Sequence, residues 1–210
     1  MRAKSAILTA LALGVLMSAS SDLRAQRTEP FGISKIDVSY EKFKGSFKVW
    51  PKGKPASALR FEEWMEVDVE FRAEPDDVQG DFFDEIEVRI HVLTPEDKKG
   101  ELKREVFTVE MRYAPVPKAK TLYAVAYLPP VVLERYGGKS AWENGANVAA
   151  EVFYKGRPVA EMELKDKGGR AGDEGWYTRG GKKGVLLNRS KTPFALDSWD
   201  RYLPEVEAGR

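Results

Sequence analysis

The sequence predicts an all-β fold, an immunoglobulin-like antiparallel β-sandwich with a short helix near residues 129–136 and a C-terminal extension. Seven or more segments alternate apolar and polar residues with period two, or are apolar on both faces, as strands are. Clusters of turn-forming residues separate these segments at regular spacing. Helical periodicity is nearly absent, and this pattern favours two packed sheets. A closed barrel suits the same pattern and is the alternative.

The chain divides into four predicted parts. The length suits one large domain preceded by a targeting segment. The parts are a signal peptide at residues 1–25, the sandwich at 26–167, a glycine-rich flexible loop at 168–184, and a last strand with a docking tail at 185–210.

The N-terminus has the charge order of a secretory signal. Arg2 and Lys4 precede an apolar run at residues 6–17, and small residues follow it. Cleavage is expected after Ala25, with cleavage after Ser20 as the alternative. The apolar run is too short to span a bilayer, and we expect no transmembrane span in the mature chain. The sequence therefore predicts an exported protein, periplasmic or associated with the outer membrane.

Composition excludes several classes of function. The chain has no cysteine, which excludes disulfides, thiolate metal sites and a lipoprotein anchor. Its 34 basic and 33 acidic residues nearly balance. A balanced charge gives no general attraction to nucleic acid or anionic lipid. We therefore expect no nucleic-acid partner.

The clearest strand lies at residues 59–72. Acidic residues and Trp64 occupy one face, as in an antiparallel strand with one solvated side. The opposite, core-facing set is Leu59, Phe61, Met65, Val67, Val69 and Phe71. Further strands are predicted within residues 33–40, 84–92, 104–113 and 121–128, and the last of these is apolar on both faces.

Turn and helix signals order the remaining elements. The cluster at residues 94–101 predicts a hairpin, and a second hairpin at 147–164 turns at Lys155-Gly156-Arg157. Pro129 and Pro130 favour the start of the short helix, which Gly137 ends. Residues 168–184 contain seven glycines but lack the ending of a phosphate-binding loop, so we interpret them as a mobile loop.

Catalytic chemistry is not predicted, and neither is a metal site or a cofactor. His91 is the only histidine, and it is expected on the polar, surface face of its strand. The acidic residues at 76–85 do not match the spacing of an EF-hand, so a solvated acidic loop is favoured over a calcium site. The sequence therefore indicates a protein that is not an enzyme. A hydrolase of another type would need two inward carboxylates that converge in a cleft.

Three tryptophans give the alternative function. Trp50, Trp142 and Trp176 lie in loop-like segments rich in glycine or proline. Exposed aromatic rings stack on sugars or anchor protein partners, so these residues could make a carbohydrate-binding module with a glycan ligand. The competing interpretation is that each ring covers an edge of the core.

The tail has the pattern of a docking peptide. After the strand at residues 185–188, Asp197 or Ser198 can cap a short helix that Pro204 ends. The apolar face of this helix comprises Trp199, Tyr202 and Leu203. The tail is expected to dock either on its own domain or on a partner. The predicted partner-binding residues are Pro193, Phe194, Trp199, Arg201 and Tyr202.

Residues 186–202, "LLNRSKTPFALDSWDRY", resemble a verrucomicrobial family of exported immunoglobulin-like proteins. Its members are encoded beside type IV pilus-like assembly genes and associate with the outer membrane. The resemblance is most specific at N-R-S-K-T-P-F-A and W-D-R-Y. It implies a structural role and a protein partner in an envelope assembly. The hypothesis is therefore a non-enzymatic interaction or assembly protein, linked to a type IV pilus-like or outer-membrane complex.

Overall fold

The computed structural model describes residues 31–42, 63–74, 80–96, 103–164, 175–195 and 201–206. Several predictions lie outside these residues. They are the signal peptide, Trp50, Trp199, the helix cap at 197–198 and residues 76–79 of the acidic loop at 76–85.

Two four-stranded antiparallel sheets form the body of the protein. The first has the order β1-β2-β7-β10 and the second β5-β4-β8-β9, and β3 and β6 form a small separate pair. The strands are β1 Phe31–Lys42, β2 Glu63–Ala73, β3 Phe82–Phe83, β4 Ile86–Leu93, β5 Val106–Tyr113, β6 Val116–Pro117, β7 Ala119–Leu128, β8 Asn147–Tyr154, β9 Arg157–Leu164 and β10 Leu187–Asn188. The two sheets confirm the predicted sandwich.

The core lies between the two sheets. Alternate residues of β2 point inward and are fully buried: Met65, Val67, Val69 and Phe71. The inward residues of β4 and β8 meet them from the second sheet. The period-two pattern of β2 therefore identified its core face correctly.

The turns and the helix follow their local signals. Lys155 and Gly156 both have positive φ, 50° and 72°, as a two-residue type I′ hairpin turn requires. Helix α1, Pro130–Arg135, begins after Pro129 and ends before Gly137, where φ is 98°. A second helix, α2 Lys139–Gly145, was not predicted, because its seven residues carry no apolar period of their own. No helix among the described residues is long and apolar enough to cross a membrane.

The C-terminal segment closes one flank of the sandwich. Lys182 bridges in parallel to Phe107 of β5, and its backbone N–H donates to the carbonyl of Val106 at 2.8 Å. Strand β10 then pairs with β7, and Glu205 bridges back to Tyr113 of β5. The described part of the glycine-rich segment, residues 175–184, is thus packed against the sheet. The sequence predicts a flexible loop here, whereas in the structure backbone hydrogen bonds between Lys182 and β5 hold this segment against the sheet.

Gly181→Ala should lower the free energy of unfolding by about 1–3 kcal/mol, the usual cost of overpacking. A Cβ at position 181 would lie 2.3 Å from the Thr108 Oγ1 and 2.8 Å from the Val106 carbonyl oxygen. Urea titration of both proteins measures the change. Gly32→Ala is the matched control, because its Cβ would meet only the Arg72 side chain, at 3.1 Å. Equal stability of the two variants would contradict the packing of this segment.

Candidate interaction surface

The tail lies on the outer face of the first sheet, anchored by Phe194. The ring of Phe194 is 5% exposed. It stacks on Tyr127 at a centroid distance of 4.8 Å and an angle of 13°, and the Trp64 ring meets it edge-on at 5.8 Å. Tyr127 and Trp64 point outward because their neighbours along β7 and β2 point into the core. The Thr192 hydroxyl accepts a hydrogen bond from the Phe194 N–H at 3.2 Å and so orients the backbone that carries the ring.

Arg201 forms the second attachment of the tail. Its guanidinium pairs with the carboxylate of Asp68 on β2. It also lies 4.2 Å from the centroid of the Tyr123 ring and 5.4 Å from that of Tyr202. Arg189 covers Tyr202 at 5.0 Å. A guanidinium held by a carboxylate and aromatic faces combines an ion pair with cation–π attraction.

The acidic face of β2 is less solvated than its pattern indicated. Glu66 and Asp68 are both partly buried, and Arg201 of the tail pairs with Asp68. Burial raises the pKa of both carboxyl groups, and it outweighs the opposing effects of the Tyr127 hydroxyl on Glu66 and of Arg201 on Asp68. The prediction of a wet sheet surface is therefore wrong for this part of β2.

The end of the tail reaches the second sheet. The Asn188 side-chain amide donates to the Glu205 carboxylate, and the Val206 N–H donates to the Arg112 carbonyl at 2.8 Å. Burial raises the pKa of the Glu205 carboxyl group. The described residues of the tail, 186–195 and 201–206, thus contact both sheets at the same flank.

The tail and the sheet beneath it form one composite surface, which we call the tail face. It consists of Trp64, Tyr123, Phe194, Arg201 and Tyr202. Four of the five predicted partner-binding residues are described. Phe194 is buried in the chain's own domain, Pro193 and Arg201 are exposed, and Tyr202 is half-buried. The tail packs on its own sandwich. Phe194 is therefore the buried residue that attaches the tail to the sheet and does not itself contact a partner.

Sequence reasoning missed Tyr123, which belongs to the tail face, and Asp68, which holds Arg201 of the tail face. A signal for Tyr123 was present, because residues 121–128 are apolar on both faces and such a strand is covered on both sides. No comparable signal marked Asp68, since its partner Arg201 lies 133 residues away in sequence.

The tryptophans proposed for sugar binding are placed differently from expectation. Trp142 is 2% exposed, and its Nε1–H donates to the Leu133 carbonyl at 3.0 Å. Trp176 is 4% exposed, and its Nε1–H donates to Glu163 at 2.8 Å. Neither ring presents a face for stacking on a sugar, because each covers part of the apolar interior. The expectation of exposed loop rings is therefore wrong for both.

His91 is also buried rather than on the surface. Its exposed fraction is 3%, with Nδ1 at 2.9 Å from the Thr108 hydroxyl and Nε2 at 3.0 Å from the Glu151 carboxylate. The Tyr177 ring covers it at 5.9 Å. The sequence predicts a solvated outward face for β4, but Trp176 and Tyr177 pack over it. Among the described residues, no group of three or more His, Cys, Asp or Glu could hold a metal ion.

The Nε2 atom of His91 should carry a proton in the folded protein. A carboxylate only accepts, so Nε2 donates to Glu151, whereas Nδ1 and the Thr108 hydroxyl can each donate or accept. Long-range ¹H–¹⁵N correlation spectra would measure this directly, because the chain holds one histidine and gives one imidazole pattern. An Nε2 atom without a proton would contradict the hydrogen bond to Glu151.

Comparisons with known proteins place the chain in a family. A family model matches residues 33–208, most of the chain, and the protein belongs to that family. A crystal structure of a protein from Akkermansia muciniphila, a verrucomicrobe, shares the fold with a TM-score of 0.61 and 22% identity. The match covers 83% of this chain and 95% of that one. The family model supports the family resemblance of the tail, and the structural match shows that the fold is shared. A search of curated proteins finds no match.

Proposed function

We propose that the protein is an exported, non-enzymatic interaction protein that contacts a protein partner of an envelope assembly through the tail face. The observation that carries this proposal is the seating of Arg201 against Asp68 and Tyr123. It leaves a half-exposed arginine among half-exposed aromatic rings. Arginine, tyrosine and tryptophan are the side chains enriched where protein interfaces bind most strongly.

The tail face is preformed, which favours binding. Phe194 is already buried and stacked, and the Arg201 side chain, 44% exposed, is already held by its ion pair. A partner would therefore not have to order these side chains, so the entropy lost on association is smaller than for a mobile tail. Export is supported by the signal-peptide pattern. A link to a type IV pilus-like or outer-membrane complex is supported by the resemblance of the tail.

Site-specific photo-crosslinking in cells that make the protein tests the partner role. A photoreactive residue at Tyr123 should give one discrete adduct, with a different protein identified by mass spectrometry. The matched control position is Lys155, which is exposed in the turn between β8 and β9 on the other sheet and should give no such adduct. Deleting the tail would be a poorer test, because it would also remove the buried ring of Phe194.

The contribution of Arg201 is tested in the same cells. Arg201→Ala should weaken the Tyr123 adduct. Because the change also leaves the mostly buried Asp68 carboxylate without its partner, a urea titration of the purified variant accompanies the experiment and shows whether the variant still folds. Equal adducts from Tyr123 and Lys155, or no adduct from Tyr123, would count against the tail face as the interface.

N-terminal sequencing of the protein from the cell envelope tests export. The expected mature N-terminus is Gln26, the residue after the predicted cleavage site. An intact Met1 on protein recovered from the cytoplasm would contradict export.

A further inference from the structure

The two flanks of the sandwich differ. The C-terminal segment covers the flank formed by β5 and β7. At the opposite flank β1 and β9 are the outer strands of their sheets, and no described strand pairs with the outer edge of either. An outer strand presents unpaired backbone N–H and C=O groups and is a template for another strand.

Side-chain burial marks the same flank. Inward residues of the central strands are essentially inaccessible, with exposed fractions of 0–1% across β2, β4 and β8. Several inward residues near this flank are only partly buried, although Phe31 and Ile36 of β1 are buried: the partly buried set is Ile33, Val38 and Tyr40 on β1, and Val159, Ala160 and Met162 on β9. Part of the core is therefore accessible here. In addition, the hydroxyl oxygen of Tyr40 is buried without a hydrogen-bond partner among the described residues.

The two outer strands are not equally protected against pairing. Strand β9 carries Pro158 and a register shift opposite Val152 and Phe153, two features that blunt an edge. Strand β1 is longer, with 12 residues. Its register shift lies between Ile33 and Lys35, so the rest of the strand, residues 35–41, is regular and contains no proline.

The sequence of β1 is complementary to itself in one antiparallel register. With Val38 opposite the Val38 of a second copy, Lys35 faces Glu41 twice and Ile36 faces Tyr40 twice. Registers centred on Asp37 or Ser39 place Asp37 opposite Asp37 or opposite Glu41. Opposite charges across a strand pair stabilise it and like charges destabilise it, so the register on Val38 is favoured. Alternation of side chains also keeps the apolar residues of both copies on one face.

We propose that the protein forms a two-fold symmetric dimer in which β1 pairs antiparallel with β1 of a second copy, centred on Val38. The same patch of both copies forms this interface, as in any two-fold symmetric dimer. The first sheets of the two copies then join into one continuous sheet. The pairing covers the partly buried Val38 and Tyr40. The tail face stays accessible, because it lies on the outer face of the sheet and not at its edge.

Analytical ultracentrifugation of the mature chain tests this dimer. We expect a species of twice the monomer mass. Lys35→Glu should raise the dissociation constant about tenfold, because two attractive pairs become repulsive. The double variant Lys35→Glu/Glu41→Lys should restore association. Lys103→Glu, an exposed change beside β5, is the matched control and should leave the dimer intact.

Cysteine cross-linking tests the register, and the cysteine-free chain gives a clean background. Asp37→Cys and Ser39→Cys proteins, when mixed and oxidised, should form the mixed disulfide in preference to either homodimer. A monomer at every concentration, or a dimer insensitive to Lys35→Glu, would overturn the proposal. Arg201→Ala should leave the dimer unchanged, so this result and the crosslinking at Tyr123 succeed or fail separately.

Discussion

Replacement of Phe194 by alanine is expected to lower the free energy of unfolding by about 3–5 kcal/mol. The ring is 5% exposed, stacks on Tyr127 at 4.8 Å and receives the edge of Trp64 at 5.8 Å. Its removal would leave a cavity between these two rings and detach the tail from the first sheet. Urea unfolding, followed by tryptophan fluorescence, measures the loss.

Phe82→Ala is the control for this prediction. Phe82 is 58% exposed on β3, so its truncation should change the free energy of unfolding by no more than about 0.5 kcal/mol. If the two phenylalanine variants were equally stable, the tail would not be part of the folded domain. Phe194 would then not anchor the tail face.

The second large effect is expected for Trp142→Ala, again about 3–5 kcal/mol. Trp142 is 2% exposed, packs edge-on against Tyr136 at 5.9 Å and donates to the Leu133 carbonyl. It fastens helix α2 to helix α1 and to the core. Trp142→Phe keeps an aromatic ring but loses the hydrogen bond, so its stability should lie between those of the native protein and Trp142→Ala.

The result for Trp142 also decides between two functions. A core role requires a lower urea midpoint in Trp142→Ala. Unchanged stability together with lost glycan binding would instead favour a carbohydrate-binding module and would contradict the buried position of the ring.

Local patterns explain why much of the fold could be predicted. The alternation in β2 identified Met65, Val67, Val69 and Phe71 as core residues because the period of a strand is two, whatever the partner strand. The turn at Lys155-Gly156 and the start of helix α1 after Pro129 depend on the backbone preferences of the residues themselves.

Long-range contacts explain the errors. His91 occupies a polar position of its strand, and only the fold brings Glu151 and residues 175–184 over it. Likewise, the glycine density of that segment indicates freedom, whereas pairing of Lys182 with β5 removes it. Trp142 sits in a short helix whose burial depends on α1 and the core. For His91 and Lys182 the deciding partners, Glu151 and Val106, are distant in sequence, so local patterns could not reveal them. For Trp142 the hydrogen-bond partner Leu133 is only nine residues away, but the burial of the ring depends on tertiary packing.

For the tail, the sequence pattern and the structure establish different things. Its amphipathic pattern predicted docking, and left open whether the chain's own domain or a partner would receive it. The structure places Phe194 and Arg201 on the first sheet of the same chain. What the tail offers to a partner is consequently the composite tail face, with the aromatic residues of β2 and β7 included.

Nuclear Overhauser contacts between the aromatic rings of Phe194 and Tyr127, in the mature chain in solution, test most directly that the tail packs on its own sandwich. The stacked geometry at 4.8 Å predicts strong cross-peaks between the two rings, retained on dilution. Sharp Phe194 signals with no cross-peak to Tyr127 would show that the tail is not seated there, and would contradict the tail face.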